Sequence, residues 1–414
     1  MGHLLSPRHY KKLQRRMDRA VPGIHDSKHL YEILKLLFTD EEARLCSLMP
    51  LNFFTVPQIA KVWGKSEEES RKVLENLNSK GLVYTLDEDN TRKYVLAPPV
   101  LGFFEFSLMR NDGKFDAKLL SKFYHQYINQ EDGFINNYMD VNPPLSRVFP
   151  HEDMIENVTS EVLSYEKASV AIKEAACITV GTCFCRHKME HMGKACDNPQ
   201  DVCLTFNSVA EYLAENGIAR KISTEEGLKI LDLCMQKGLM QIGDNVKSEI
   251  AIICNCCGCC CDLLLGYKKY GLRGIVSPSN YVAQIDQESC TDCGLCVKKC
   301  GVNAITKIGD NYTVNKDVCL GCGVCTRFCT SHACRMAERE KKVYVPDGFF
   351  EKIALWVIHQ GKVGNYIFDK QTSFTHKIMR NVVNFILKIP PIKKILSSKK
   401  AISLLLKMKN YNKP

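Results

Sequence analysis

The sequence predicts an α+β chain of several domains, and three observations carry that prediction. Between residues 30 and 100, helix-period runs with capping signals give way to two strand-like runs. Farther on, 177-CITVGTCFC-185 and 249-EIAIICNCC-257 each read as a strand running into thiols, with helical stretches around them. Between 281 and 338 the pattern C-x2-C-x2-C-x3-C occurs twice. At 414 residues and 45% hydrophobic composition the chain is long enough for two to four ordinary cores, so disorder is not the default.

Residues 1–29 form a basic segment. Its opening, MGHLLSPRHYKKLQRR, has neither the apolar core nor the small-residue cleavage site of a secretory signal, so the expected compartment is the reducing cytoplasm. Gly2 and Ser6 match the myristoylation pattern, which is short enough to recur by chance. Within 30–100, Thr55 reads as a helix N-cap and Gly64 as its stop. Ser66 with Glu69 forms a capping box for the next helix, Val73, Leu74 and Leu77 make its buried stripe, and Gly81 ends it. Two strand-like runs flank Asp87-Glu88-Asp89-Asn90 and make a hairpin. Helices followed by such a hairpin resemble a winged-helix domain, which implies a reading helix whose first residues meet base edges. Here those residues are Glu67, Glu68 and Glu69, and the hairpin tip adds Asp87, Glu88 and Asp89. Phosphate repels such a surface, whereas helix-dipole complementarity and a solvated turn account for it. The segment is read as a structural or protein-interaction domain, with DNA binding, and hence a redox-responsive transcription regulator, as the alternative.

Residues 101–280 read as a cysteine-rich α/β domain, with helices over 157–176, 206–217 and 223–238. Its two thiol-ended strands bring cysteines from separate parts of the chain toward one composite site, since α/β folds build sites beyond strand ends. Residues 281–338 hold the cysteine repeat. From 346-PDG-348 onward, 346–414 reads as a helical basic tail, with apolar stripes at Phe349, Ile353 and Trp356 and at Ile378, Val382, Val383 and Ile386. Pro390-Pro391 then precedes a lysine-rich end. Net charge is +10, and residues 388–414 contribute eight lysines and no acid. Lys393, Lys394, Lys399, Lys400, Lys407 and Lys409 flank Ile395, Ile402, Leu404, Leu405 and Leu406, a pattern that fits an acidic partner, the inner face of an anionic membrane or a solvated helix face. No window offers the roughly twenty apolar residues of a membrane span.

Twenty-two cysteines in a reduced chain ask for metal rather than disulfides, because runs such as Cys259-Cys260-Cys261 cannot pair locally in disulfide geometry. Soft thiolates select iron–sulfur clusters, zinc or Cu(I). In the repeat, three thiolates on a tight loop cap three irons of a cubane, and the fourth cysteine, at the start of the next helix, ligates the other cluster. One cluster is thus expected on Cys290, Cys293, Cys296 and Cys329, the other on Cys319, Cys322, Cys325 and Cys300. Gly294, Gly321 and Gly323 let the backbone approach the sulfides. This segment resembles a bacterial-type dicluster ferredoxin domain, which implies two [4Fe–4S] clusters moving single electrons. The family pattern places proline after the fourth cysteine. Gly301 and Thr330 stand there instead. A zinc module would show paired C-x2-C knuckles rather than runs of four. The whole layout also resembles uncharacterised iron–sulfur proteins of anaerobes, which implies no particular reaction.

The middle thiols exceed one cubane's four positions. Cys183, Cys185, Cys196, Cys203, Cys254, Cys256 and Cys257 are the expected pool of ligands for a third iron–sulfur cluster. Cys259, Cys260 and Cys261 rank below them because adjacent thiols on an extended chain point in different directions. Arg186, Lys188 and Lys194 would offset an anionic cluster or hold an anionic substrate. The stretch 187-HKMEH-191 fits the H-x-x-E-H peptidase pattern, but it is pinned between metal-binding cysteines, so histidines that face solvent or flank the metal are the preferred reading. Cys46, Cys177 and Cys234 sit in apolar patterns and read as core thiols, with Cys334 beside the second cluster. There is no P-loop and no G-x-G-x-x-G. The function expected is electron transfer, by itself or as the electron-input subunit of an anaerobic oxidoreductase. A reductase binding substrate at the middle cysteines is a further alternative. Lys298, Lys299, Lys307, Lys316 and Arg327 suit a redox partner with an acidic surface.

Overall fold

The computed structural model describes residues 7–88, 90–139, 141–155, 164–271, 274–371 and 373–390. The chain forms two compact units, one of residues 1–142 with 349–414 and one of residues 143–348. In the first, α1 (Pro7–Arg19), α2 (Lys28–Leu37), α3 (Asp40–Cys46), α4 (Val56–Trp63) and α5 (Glu67–Ser79) precede an antiparallel hairpin of β1 (Val83–Glu88) and β2 (Thr91–Leu96). The capping logic holds in detail. The Glu69 amide donates to the Ser66 hydroxyl while the Glu69 carboxylate accepts from the Ser66 amide, and Gly64 closes α4 in the left-handed region. Ser70, Leu74 and Leu77 form the buried face of α5, with Val73 only half-buried. Asp87 pairs with Arg92 and Glu88 with Lys93 across the hairpin.

Residues 101–142, which the sequence groups with the cysteine-rich region, belong to this first unit. Helices α6 (Phe104–Met109), α7 (Ala117–Tyr124) and α8 (Asp132–Met139) follow the hairpin. Aromatic packing holds them there. Phe104 meets Tyr124 and Tyr127 edge-on at 4.9 and 6.0 Å, and Phe103 meets Phe38 at the end of α2 at 6.1 Å.

The second unit is built on β3 (Ser146–Phe149), α9 (Ala168–Glu174), β4 (Ile178–Thr182), α10 (Phe184–His191), β5 (Asp201–Phe206), α11 (Asn207–Glu215), β6 (Arg220–Lys221), α12 (Thr224–Gln236), β7 (Met240–Asp244), β8 (Ile252–Cys256), α13 (Asp262–Tyr270) and β9 (Val276–Ser277). The strands form one sheet in the order β6-β4-β5-β8-β7-β3-β9. Of the helix expected over 157–176, α9 covers 168–174, residues 164–167 are turn and loop instead, and residues 156–163 lie outside the described residues. Ile172 of α9 and Leu231 of α12 bury against Ile178, Val180, Leu204 and Ile253 on one sheet face. Each such side chain contributes roughly 1.5–3 kcal/mol.

Strand direction decides where the thiols go. The pairs β4/β5, β5/β8 and β7/β8 are all antiparallel. Hence β4 and β8 run the same way, and their C-terminal ends share one sheet edge with the starts of β5 and β7. The loops after Thr182, before Asp201 and after Cys256 therefore converge.

Residues 281–338 follow the sheet. β10 (Tyr281–Ile285) pairs antiparallel with β13 (Cys334–Glu338), and between them lie α14 (Leu295–Lys299), the hairpin β11 (Ile305–Ile308)/β12 (Asn311–Val314) and α15 (Val324–Arg327). The chain then joins the first unit as α16 (Phe349–His359), α17 (Val363–Ile367) and α18 (Phe374–Ile386). Asp369 holds Arg16 through two hydrogen bonds and accepts the Leu51 amide. Phe374, Ile378, Val382 and Phe385 are exposed along one face of α18. The tail lysines and the apolar residues they flank lie outside the described residues, as do Gly2, Ser6 and Asp89. No helix among the described residues is long and apolar enough to cross a membrane.

Candidate metal centres

The two halves of the repeat form two thiol groups. Cys290, Cys293, Cys296 and Cys329 line one open cavity together with Gly294, Tyr312 and Cys334. Cys300 closes the C-terminal end of α14 rather than starting a helix, and its charge bears on Cys319 and Cys322 in the other half. Burial pushes the Cys296 thiol up to about 11 and Cys322 up to about 12, so these thiols ionise when a metal takes up their charge. Main-chain donors wait at the sulfurs: the Ala304 amide lies 3.2 Å from Cys300 Sγ and the Cys334 amide 3.3 Å from Cys329 Sγ. Gly321 sits at φ +69°, and a Cβ there would stand 2.1 Å from the Tyr281 carbonyl oxygen, so only glycine fits. The donor set and the open cavity suit a cubane. Cys334 is buried between the groups, lining the first cavity and contacting Cys325.

At the convergent sheet edge the middle thiols divide into two sets. Cys196, Cys257, Cys259 and Cys260 bring their sulfurs within 4.8 Å of one another. Separations are 3.6 Å for Cys196–Cys257, 3.7 Å for Cys259–Cys260 and 3.8 Å for Cys196–Cys260. Cys259 and Cys260, ranked low on the premise of an extended chain, join because residues 258–260 form a turn closed by the Cys261 amide on the Cys257 carbonyl. Donation from the Cys260 thiol holds Cys257 well below the ordinary thiol range. The remaining thiols form a row in which Cys203, Cys256 and Cys261 are buried and Cys183, Cys185 and Cys254 half-buried. Cys254 and Cys256 share one face of β8. Thiol contacts from Cys203 and Cys256 lower Cys254, and those from Cys185 and Cys256 lower Cys261. The register of β5 against β8, Leu204 opposite Ile253, puts Cys203 beside Cys254. Cys183, the N-cap of α10, lies near Cys254 and Cys261.

Of the three cations expected at this site, one faces the sulfurs. Arg186 is 1% exposed, donates from Nη1 to the Asn255 carbonyl at 3.1 Å and to Cys257 Sγ at 3.7 Å, and leaves Nε and Nη2 without a partner among the described residues. Lys188 is neutralised by Asp262 at 2.5 Å, and Lys194 is exposed. His187 and His191 face each other with Nε2 atoms 3.1 Å apart, but Glu190 is turned to Gln200, so the peptidase arrangement lacks its base. Cys46 and Cys234 are buried core thiols, whereas Cys177 is only half-buried at the start of β4. On the ferredoxin lobe Lys307 pairs with Asp292 and Arg327 with Asp153, while Lys298, Lys299, Lys316 and Arg335 are exposed outside those pairs.

One contact joins the thiol loop to the repeat. A Cβ on Gly258 would lie 2.5 Å from the Gly301 carbonyl oxygen and 2.7 Å from its Cα. A Cβ on Gly301 would lie 2.5 Å from Met240 Cε. Glycine at 301 therefore lets the loop of Cys257 and Cys259 lie against the residue that follows Cys300. In comparison with known families, the 4Fe-4S binding domain matches residues 283–306. Comparison with curated proteins and with solved structures returns no match. That match and the thiol groups make this an iron–sulfur protein that binds at least one [4Fe–4S] cluster, with electron transfer as its general role.

Proposed function

We propose that the protein is an electron carrier, or the electron-input subunit of an anaerobic oxidoreductase. Two [4Fe–4S] clusters on residues 281–338 would exchange single electrons with a third iron–sulfur cluster at the thiol-bearing sheet edge. Cys290, Cys293, Cys296 and Cys329 hold the first cluster and Cys319, Cys322, Cys325 and Cys300 the second. Cys185, Cys254, Cys256 and Cys261 hold the third, with Cys203 and Cys183 beside it. The observation that carries the reading is the backbone approach of Gly258 to Gly301, which brings the middle thiol loop against the ferredoxin repeat next to Cys300. Arg186, itself buried, offsets the negative charge of the thiolates. Lys298, Lys299 and Lys316 present a basic face to an acidic redox partner. The exposed apolar face of α18, continued in sequence by the lysine-rich end, suits contact with an anionic membrane surface.

Stepwise reduction of anaerobically purified protein, followed by EPR, tests the relay. A third paramagnetic species should titrate apart from the ferredoxin signals and vanish in Cys254→Ser while those signals remain. Ferredoxin signals alone in the unsubstituted protein would overturn it.

A further inference from the structure

The octapeptide 254-CNCCGCCC-261 sends its thiols to two places, and the set at the loop tip has dimensions of its own. Four thiolates around one tetrahedral ion at a metal–sulfur distance of about 2.3 Å stand roughly 3.8 Å from one another. Thiolates on the corners of a cubane point outward and stand roughly 6 Å apart. The sulfurs of Cys196, Cys257, Cys259 and Cys260 lie 3.6, 3.7 and 3.8 Å apart in the three closest pairs and within 4.8 Å throughout. They enclose one ion and leave no room for four irons.

We propose that Cys196, Cys257, Cys259 and Cys260 hold a single thiophilic metal ion, zinc or iron, in tetrahedral sulfur coordination, separate from every iron–sulfur cluster of the chain. Three ligands come from the turn 257–260 and the fourth from the loop before β5. Cys257 and Cys260 are anchored in a small core with Met189, Val202, Cys234 and Leu239. The Lys268 ammonium donates to the Gly258 carbonyl and pins the turn from outside. Four thiolates around a divalent ion leave a net charge of about −2, which a buried site must balance. Arg186 meets that need, with a guanidinium 3.7 Å from Cys257 Sγ and two nitrogens that have no partner among the described residues. The Asn198 amide donates to Cys196 Sγ at 3.3 Å. Fully ligated by protein, such an ion is structural: it fixes the turn whose Gly258 lies against Gly301. The assignment stands whether or not the third cluster does, because the two sets share no sulfur.

The test uses full-length protein purified anaerobically, with metal stoichiometry and X-ray absorption at the zinc and iron edges, in unsubstituted protein and in Cys259→Ser. Cys259 is exposed, so its replacement leaves the core intact. Expected is loss of about one metal ion per chain with acid-labile sulfide and cluster EPR signals unchanged. If the ion is zinc, the zinc edge should show an all-sulfur shell at about 2.3 Å; if it is iron, the loss is of one iron without sulfide, since the clusters supply a sulfur shell of their own at the iron edge. Loss of about four irons together with sulfide would make the tetrad part of a cubane and overturn the proposal. Unchanged iron and zinc content in Cys259→Ser, with no all-sulfur shell at the zinc edge of the unsubstituted protein, would overturn it equally.

Discussion

Replacing Gly258 by alanine strikes the contact between the thiol loop and the ferredoxin repeat. The new methyl would stand 2.5 Å from the Gly301 oxygen and 2.7 Å from its Cα, both backbone atoms that cannot swing aside. Ordinary contact needs the loop to move away by about 1 Å, and overpacking of this kind costs about 1–3 kcal/mol. The same change at Gly301 meets Met240 Cε at 2.5 Å, the free end of a flexible side chain, and should cost less than about 1 kcal/mol. Both variants are compared with the parent by anaerobic denaturant unfolding at matched metal content, and by freeze-quench EPR after rapid reduction. Gly258→Ala should be the less stable variant and should pass electrons from the ferredoxin clusters to the middle site more slowly, with all iron retained. A variant as stable and as fast as the parent would refute the argument that this approach couples the two regions.

Gly321→Ala puts a Cβ 2.1 Å from the Tyr281 oxygen at a left-handed φ, so it should abolish the EPR signal of the second cluster before that of the first. His151 is fully buried, accepting from Arg327 Nε and bonded to the Leu239 carbonyl at 2.9 Å each, and burial above all pushes its pKa down to about 4. Because the folded value lies below the unfolded one near 6.5, its contribution is complete above about pH 6.5 and is lost as pH falls toward 4, by about 3 kcal/mol. His151→Gln should flatten the acid limb of the stability curve relative to the parent; identical limbs would contradict this. The face of α18 predicts salt-sensitive co-sedimentation with anionic vesicles that a chain ending at residue 373 lacks, and equal partitioning of the two would remove the membrane reading.

The sequence carried local signals well and tertiary ones unevenly. Ser66, Glu69 and Gly64 announce helix ends through hydrogen bonds made within a few residues, so they can be read without knowing the fold. The cysteine repeat is equally local, since spacing alone forms each loop. β7, by contrast, buries Gln241, Gly243 and Asp244, and the Gln241 and Asn255 amides bond across to β8 and β5, so its polar residues hide a central strand. Residues 101–142 gave no sign of their neighbours because rings from distant segments decide their packing. Cys259 and Cys260 rank low on the premise of an extended chain, and the turn at Gly258 that overturns it lies against Gly301, a residue far along the chain. The departure from proline at 301 was visible, but its cause lay in the tertiary contact.

The central claim is that the middle thiols carry an iron–sulfur cluster beyond the two of the repeat. Iron and acid-labile sulfide per chain, measured on anaerobically purified protein of known concentration, test it most directly. The account predicts acid-labile sulfide clearly above the roughly eight of two cubanes, matched by cluster iron. About eight sulfides, with the ferredoxin signals intact, would contradict it.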